Sequence, residues 1–290
     1  MTGQIQLEAS QIVAYQGEPG AYSHLACKHT FPDLKTIHCA TFGEALQKVE
    51  HGEAYYAMIP LENSTAGRVE EIYRELKRTQ LHVVKEHFEA VNHCLIARHG
   101  VAIEQITRIG SHPQALAQCD DNIKALGAKN VAMYDTAGAA KFIAEHDEPG
   151  FAVISSELAA ELYGLNILKT HFNDREGNTT RFLVFSKQQK MPVFEPEKVY
   201  ITTFMFRVRN LPAALYKAMG GFATNGINML KLESYMVNGH FTATQFYIDV
   251  EAHFQDPAMQ RALEELRFFS EDIRILGTYY ADEFRFQQSK

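Results

Sequence analysis

Hydrophobic positions follow two rhythms along this chain. From residue 11 to about 170, short apolar runs alternate with stretches of helical spacing. "QIVAYQG", "TIHCA" and "YYAMIPLE" read as strands, and each is followed by an amphipathic segment: "EPGAYSHLACKHTF", "TFGEALQKVEHG" and "RVEEIYRELKR". In the second of these segments, Thr41 and Glu44 are spaced as a capping box and Gly52 is a stop. The rhythm then repeats. "ITRIG" precedes "SHPQALAQCDDNIKALG", a single predicted helix with Ser111 as N-cap. "NVAMY" leads into "DTAGAAKFIAEH", capped by Asp135 or Thr136. "FAVIS" leads into "SELAAELYGL", and "NILKTHF" closes the run. Alternation of this kind predicts an α/β fold on mainly parallel sheet, in two halves of roughly 11–86 and 87–170. The strand after residue 178 returns to the first half, so the lobes become 11–86 with 172–187, and 87–171. Two lobes joined by crossing strands leave a cleft suited to a small ligand.

The rhythm changes at "QQKMPVFEPEK", residues 188–198, where two prolines and no periodicity predict a linker. Residues 199–283 form a second unit. "VYITTFMFRV" alternates as a strand. Asn210 is placed to cap a helix that carries Pro212 in its first turn and ends at Gly226. "INMLKLESYMV" and "HFTATQFYIDV" flank Asn238-Gly239, a strong hairpin signal. Asp256-Pro257 opens a helix with Met259, Ala262, Leu263, Leu266 and Phe269 as its stripe, and "DIRILGTYY" is the last strand. The order βαββαβ is ferredoxin-like.

Composition narrows the function. A formal charge of −7 over 290 residues argues against a nucleic-acid platform, and it means that an anionic substrate must be caught by local positive features. The four cysteines are far apart with no CxxC pair, which fits reduced thiols in cytoplasm. The first ten residues have no signal-peptide h-region, and no apolar run approaches the ~20 residues a membrane span requires. A soluble cytoplasmic protein is expected. The thirteen histidines show no HxH or HxxxH pairing beside Cys or carboxylate, and no GxGxxG follows a strand. Neither metal nor cofactor is expected.

Polar residues cluster at four strand ends. "GEPGAYSH" (17–24) fits an anion cradle at a helix start or a simple turn and cap. "PLENSTAG" (60–67) places Glu62, Asn63, Ser64 and Thr65 after a strand that ends at Ile59. Either they form a turn and helix cap, or they reach a ligand. In "GSHPQALAQC" (110–119), Gln114 and Gln118 share one helix face, and His112 reads more readily as structural. "DREGNTTRFLVF" carries Asn178, Thr179, Thr180 and Arg181 at a strand mouth. Arg181 suits bidentate carboxylate capture or a pairing with Asp174 or Glu176 in its own loop.

Together, "GEPGAYSH", "IPLENSTAGRV", "SHPQALAQC", "ISSELAAELYGL" and "NTTRFLVF" resemble, in order and spacing, the motifs of prephenate dehydratase. "NLPAALYKAMGGFATNGINMLKLES" with "FYIDVEAH" resembles the ACT regulatory domain fused to it. The resemblance covers about residues 11 to 280, and Thr180-Arg181-Phe182 and Glu62-Asn63-Ser64 are its most specific parts. It implies a periplasmic-binding-protein-like catalytic domain over 11–187 with an interlobe cleft, a C-terminal ACT domain, and a homodimer or homotetramer. With no mutase segment before residue 11, the monofunctional form is expected.

The implied reaction expels CO₂ and water from prephenate to give phenylpyruvate, without cofactor, under feedback by L-phenylalanine. By the same resemblance, Thr180, Asn63 and Gln118 are catalytic, with Thr180 serving the leaving hydroxyl. Arg181 and helix-start amides near Ser111 and Ser23 would hold carboxylates. Glu62, Ser64, Thr65, Gln114, Asn178 and Thr179 would complete the substrate site. The effector site would draw on Asn210, Pro212, Ala213, Ala214, Leu215, Glu233 and Ser234. Two departures bear on it: Ala213 stands where many relatives have glycine, and Tyr235-Met236 where many have Arg-Pro. The alternatives are an arogenate dehydratase and a non-catalytic amino-acid sensor.

Overall fold

The computed structural model describes residues 11–209, 211–236 and 243–287. The chain forms two compact units. One runs up to Thr79 and takes in His87–Val184; the other joins Gln80–Glu86 to Phe185 and beyond.

The chain opens with β1 (Ile12–Gln16), α1 (Tyr22–Thr30), β2 (Lys35–Cys39), α2 (Phe42–Glu50), β3 (Tyr56–Asn63), β4 (Gly67–Arg68), α3 (Glu70–Glu75) and β5 (His82–Ala90). β1 pairs in parallel with β2 and β3, as crossover helices require. At the start of α2, Thr41 Oγ1 accepts from Glu44 N at 3.1 Å, while Glu44 Oε2 accepts from Ala40 N at 2.8 Å. The reciprocal bond of the box thus lands one residue early. β3 runs on to Asn63, four residues past the expected end at Ile59, and folds back antiparallel onto β4. "ENST" is therefore a hairpin corner and not a helix cap: Asn63 Oδ1 accepts from the backbone N–H groups of Thr65 at 3.0 Å and Ala66 at 2.9 Å.

The second lobe comprises β6 (Cys94–Ala97), β7 (Arg108–Ser111), α4 (Pro113–Ala117), α5 (Asp120–Ala125), β8 (Lys129–Ala132), α6 (Thr136–Glu145), β9 (Phe151–Ser155), α7 (Glu157–Leu162) and β10 (Asn166–Lys169). Its strand order is β10-β6-β9-β7-β8, with β6 antiparallel to β9 and β10 and the rest parallel. Two expectations are corrected here. The segment after β7 is two short helices, because Asp174 on another segment accepts the first amides of α5, Asp121 N and Asn122 N, both at 3.0 Å. Ser111 ends β7, fully buried, and donates to Ile154 O at 2.7 Å; the cap of α4 is His112, whose Nδ1 accepts from Gln114 N. For α6 the cap is Asp135, which accepts from Gly138 N.

β11 (Thr179–Ser186) returns to the first lobe and completes the order β2-β1-β3-β11-β5. The two segments that cross between lobes are bonded to one another. His93 N donates to Asn173 Oδ1 at 2.7 Å, Asn173 Nδ2 to Val91 O at 3.0 Å, and Val91 N to Asn178 O at 2.8 Å. A side-chain amide thus replaces sheet pairing where neither sheet reaches.

The second unit contains β12 (Tyr200–Val208), α8 (Ala214–Thr224), β13 (Asn228–Met236), β14 (Ala243–Glu251), α9 (Pro257–Phe269), β15 (Ser270–Tyr280) and α10 (Phe284–Gln287). Its strands lie in the order β13-β14-β12-β15, all neighbours antiparallel, the ferredoxin-like arrangement. Phe204, Phe206, Phe222, Ile248, Leu263 and Leu266 form its core. Asp256 caps α9, with Pro257 at the first helical position. Residues 80–86 join this unit through Glu86, whose buried carboxylate accepts from Arg285 Nε at 2.7 Å, Arg285 Nη2 at 2.8 Å and Asp282 N at 3.1 Å. Gly277 serves the same junction, since a Cβ there would lie 1.9 Å from Val83 O. The linker expected at 188–198 lies inside this unit.

Asn210 and Asn238-Gly239 fall outside the described residues. The helix expected to include Pro212 begins at Ala214, and its N-cap Ala213 sits at φ +58°, ψ +25°. That left-handed conformation suits glycine and costs an alanine about 1–2 kcal/mol. Ala213→Gly is therefore expected to raise unfolding stability by about 1 kcal/mol in urea denaturation. Among the described residues no helix is long and apolar enough to cross a membrane. All four cysteines are free and buried.

Candidate active site

A cavity of about 250 Å³ opens between the two lobes of the first unit. Pro60, Val69, Val91, Ala115 and Phe182 supply apolar wall, and Asn63, Gln118, Asn178, Thr180 and His93 supply the polar side. Alternation along β11 sends Thr180 and Phe182 toward this cavity and Thr179 and Arg181 to the opposite face.

The polar side is one connected network. Asn63 Nδ2 donates to Thr180 Oγ1 at 2.9 Å and to Asn178 Oδ1 at 2.7 Å. Asn178 Nδ2 donates to Gln118 Oε1 at 2.9 Å, and Gln118 Nε2 donates to Thr65 Oγ1 at 2.7 Å. Thr65 Oγ1 in turn donates to Asn63 Oδ1 at 2.7 Å, closing the ring. The residues come from β3, the 64–66 loop, the end of α4 and the mouth of β11, so both lobes contribute. Because Asn63 occupies a lone pair of Thr180 Oγ1, the threonine proton is left to donate into the cavity.

His93 extends the network. Its Nε2 lies 2.9 Å from Gln118 Oε1 and its Nδ1 lies 2.8 Å from the Tyr22 hydroxyl. Burial pulls its pKa below the usual histidine value, so the ring is neutral. A neutral ring facing an acceptor at Nε2 carries its proton there, and the Tyr22 hydroxyl beside Nδ1 also donates to Asn92 O at 3.0 Å, so its one proton is shared between these two acceptors. His93 and Tyr22 were not singled out from the sequence. No motif marks them, since one lies in a crossover and the other opens a helix.

Tyr22 and Ser23 bring the N-terminus of α1 to the cavity wall, and that helix has no side-chain cap. The preceding loop is pinned. Gly20 N donates to His24 Nδ1 at 3.1 Å, Ser156 Oγ donates to Gly20 O, and His24 Nε2 lies 3.0 Å from Thr36 Oγ1. Gly20 has φ +93°, and a Cβ on it would meet Ala159 Cα at 2.7 Å, so the turn requires glycine. Burial, followed by the charge of Lys28, lowers the His24 pKa from 6.5 to about 4. Between those values the unfolded chain binds more protons than the folded one, so stability falls as pH drops from 6.5 toward 4. The melting temperature is expected to fall over this window, and His24→Gln to flatten that dependence; an unchanged slope would exclude His24 as its source.

The other sequence-predicted residues are placed as follows. Gln114 and Ser23 line the cavity, while Ser64 stitches the 64–66 loop to β11 by donating from its N to Thr179 O at 2.8 Å and from its Oγ to Gly177 O at 3.1 Å. Thr179 is buried beneath that loop. Ser111 is not at the cavity, for the reason given above. Arg181, expected at a substrate carboxylate, is 3% exposed and donates to Glu62 Oε1 at 3.1 Å, across the sheet from the cavity. Neither Asp174 nor Glu176 takes that place, because Asp174 is engaged at α5. No Lys or Arg lines the cavity among the described residues. In the second unit Glu233 pairs with Lys231 at 2.9 Å, Ala214 is buried and Leu215 packs on the core.

A two-lobed α/β unit with a polar cleft at its crossover is a small-ligand architecture, and here it is that of a carbon–oxygen lyase. The prephenate dehydratase family model matches residues 13–190, and the chain belongs to that family. It is 46% identical over 280 residues to a bifunctional N-acyl-homoserine lactone acylase/prephenate dehydratase of Komagataeibacter europaeus, covering 96% of this chain and 99% of that one. It is 39% identical over 279 residues to arogenate dehydratase/prephenate dehydratase 2 of Arabidopsis thaliana, covering 93% and 73%. The crystal structure of prephenate dehydratase from Arthrobacter aurescens, in complex with L-Phe, is 29% identical and superposes with a TM-score of 0.85 over 93% of this chain and 90% of that one.

Proposed function

We propose that the protein converts prephenate to phenylpyruvate, CO₂ and water, with the interlobe cavity as the active site. The Thr180–Asn63 hydrogen bond carries the reading, because it leaves a single threonine proton aimed into a half-apolar cavity. Loss of carboxylate pushes an electron pair into the ring as the C–O bond opposite breaks. Thr180 donates its hydrogen bond to the departing hydroxide, which becomes water by taking a proton from solvent, and Asn63 fixes the rotamer from which it does so. Aromatisation drives the step, so positioning matters more than acid strength. Asn178, Gln118 and Thr65 hold Asn63 in place, and His93 with Tyr22 buttresses Gln118. With no Lys or Arg on the wall among the described residues, the α1 amides at Tyr22 and Ser23 receive a substrate carboxylate. Arg181 with Glu62 acts beneath the site as a positioning pair.

Incubating the purified protein separately with prephenate and with arogenate, and following phenylpyruvate and phenylalanine, tests this directly; no product from either would leave only a binding module. The plant relatives make arogenate the natural second substrate. The relative with an acylase name gives a specific reason to add an N-acyl-homoserine lactone to the panel, with release of free homoserine lactone as readout. Feedback by L-phenylalanine through the ferredoxin-like unit, in a dimer or tetramer, is part of the same proposal; the L-Phe complex of the Arthrobacter relative supports an L-phenylalanine effector. Titrating the activity with phenylalanine decides it, and no response up to millimolar concentration would make this unit structural.

A further inference from the structure

On the α1 side of the first unit, away from the Thr180 network, three side chains converge on one point. His29 stands in the last turn of α1. His87 and Glu89 sit two residues apart on β5 and so share a face. His29 Nδ1 and His87 Nε2 each lie 2.9 Å from the same oxygen, Glu89 Oε2, and all three atoms fall within 4.8 Å of one another. The carboxylate is 6% exposed, and no Lys or Arg reaches it among the described residues. A buried carboxylate is ordinarily paired with a cation or bound to a metal. This one is served only by two imidazoles.

We propose that His29, His87 and Glu89 bind a divalent transition-metal ion, with Zn²⁺ the best match. Two imidazole nitrogens and one carboxylate oxygen form a borderline donor set that suits zinc. Bonds of about 2.0–2.2 Å around a tetrahedral ion set ligand atoms roughly 3.3–3.6 Å apart, so the two 2.9 Å contacts need to open by only about half an ångström to admit one. Binding an ion at this point requires only that each ring present its lone pair there and carry its one remaining proton on the other ring nitrogen, and His29 is half exposed, so solvent can relay that exchange. His29 and Glu89 also line a second cavity of about 370 Å³, whose wall includes Glu157, Glu161 and His171. Three protein ligands, two of them on the wall of a cavity, leave a fourth position open to water or a small ligand, the arrangement of a reactive site and not of a closed structural one. None of the three residues belongs to the Thr180–Asn63–Asn178–Gln118 network, so occupancy can be read independently of the dehydratase chemistry.

The full-length protein, stripped with chelator and dialysed against ZnCl₂, is expected to retain one zinc per chain at micromolar free metal. His29→Ala and Glu89→Gln are each expected to weaken that binding by about 100-fold or more, since even outer partners of a metal site contribute 10–100-fold. Zinc is also expected to raise the melting temperature of the wild type and not of the variants. His29→Ala changes an exposed helix end and leaves the fold intact, so it serves if Glu89→Gln does not fold. Retention of zinc in His29→Ala with wild-type affinity, or no stoichiometric zinc in the wild type, would overturn the proposal and make the cluster a hydrogen-bonded clamp between α1 and β5.

Discussion

Thr180→Ala is expected to lower kcat for prephenate about 100-fold, the lower end of what a positioned proton donor contributes, and to change KM little. The asymmetry follows from geometry. In the proposed reaction Thr180 offers one hydroxyl to the departing oxygen, while substrate contact would be spread over the apolar wall and the α1 N-terminus. The interaction therefore strengthens only as charge develops on the leaving group, which places its loss in kcat. Thr180→Ser keeps the hydroxyl and is expected to recover most of the rate, and Thr180→Val to behave like alanine. Asn63→Ala is expected to approach the same loss, because Asn63 both orients Thr180 and links it to Asn178. A Thr180→Ala enzyme with unchanged turnover would remove the hydroxyl from the mechanism.

The second large effect is one of stability. Glu62→Ala is expected to cost about 1–3 kcal/mol in urea denaturation, because it removes a carboxylate hydrogen-bonded to a guanidinium that is 3% exposed. Arg181→Met, similar in volume, is expected to cost clearly less, since the Glu62 side chain it leaves behind is 31% exposed and keeps contact with water. The double variant should recover part of the Glu62 loss. In each variant that folds, KM for prephenate is expected to stay within a few-fold of wild type. A large rise in KM for Arg181→Met with an unchanged denaturation midpoint would put the guanidinium on a substrate carboxylate after all.

The two expectations differ for Arg181 because of where sequence information stops. Thr180 and Arg181 are adjacent, so the primary structure presents them as one polar mouth. Strand alternation sends one toward the cavity and the other toward Glu62. Which face is the cavity depends on how β11 seats between β3 and β5, and that is a long-range pairing. The same limit explains Ser111. After a strand and before a proline it has every local mark of an N-cap, yet β7 extends through it to pair with β8, and His112 takes the cap. His93 lay beyond reach for another reason. Its role depends on Gln118 and Tyr22, 25 and 71 residues away in the chain.

Hydrophobic rhythm determined the alternating α/β elements, the change of pattern near residue 190 and the βαββαβ order that follows, because period and capping are local properties. The motifs around Asn63, Gln118 and Thr180 determined the family. Tertiary structure alone decided that Asn63 and Gln118 join in one hydrogen-bonded ring to which Thr180 is attached through Asn63, that Arg181 faces Glu62, and that residues 80–86 belong with Arg285 through Glu86. It alone also gathered His29, His87 and Glu89 around one oxygen. Each of these depends on two or more segments distant in sequence, and a local pattern carries no record of which segment will lie beside it.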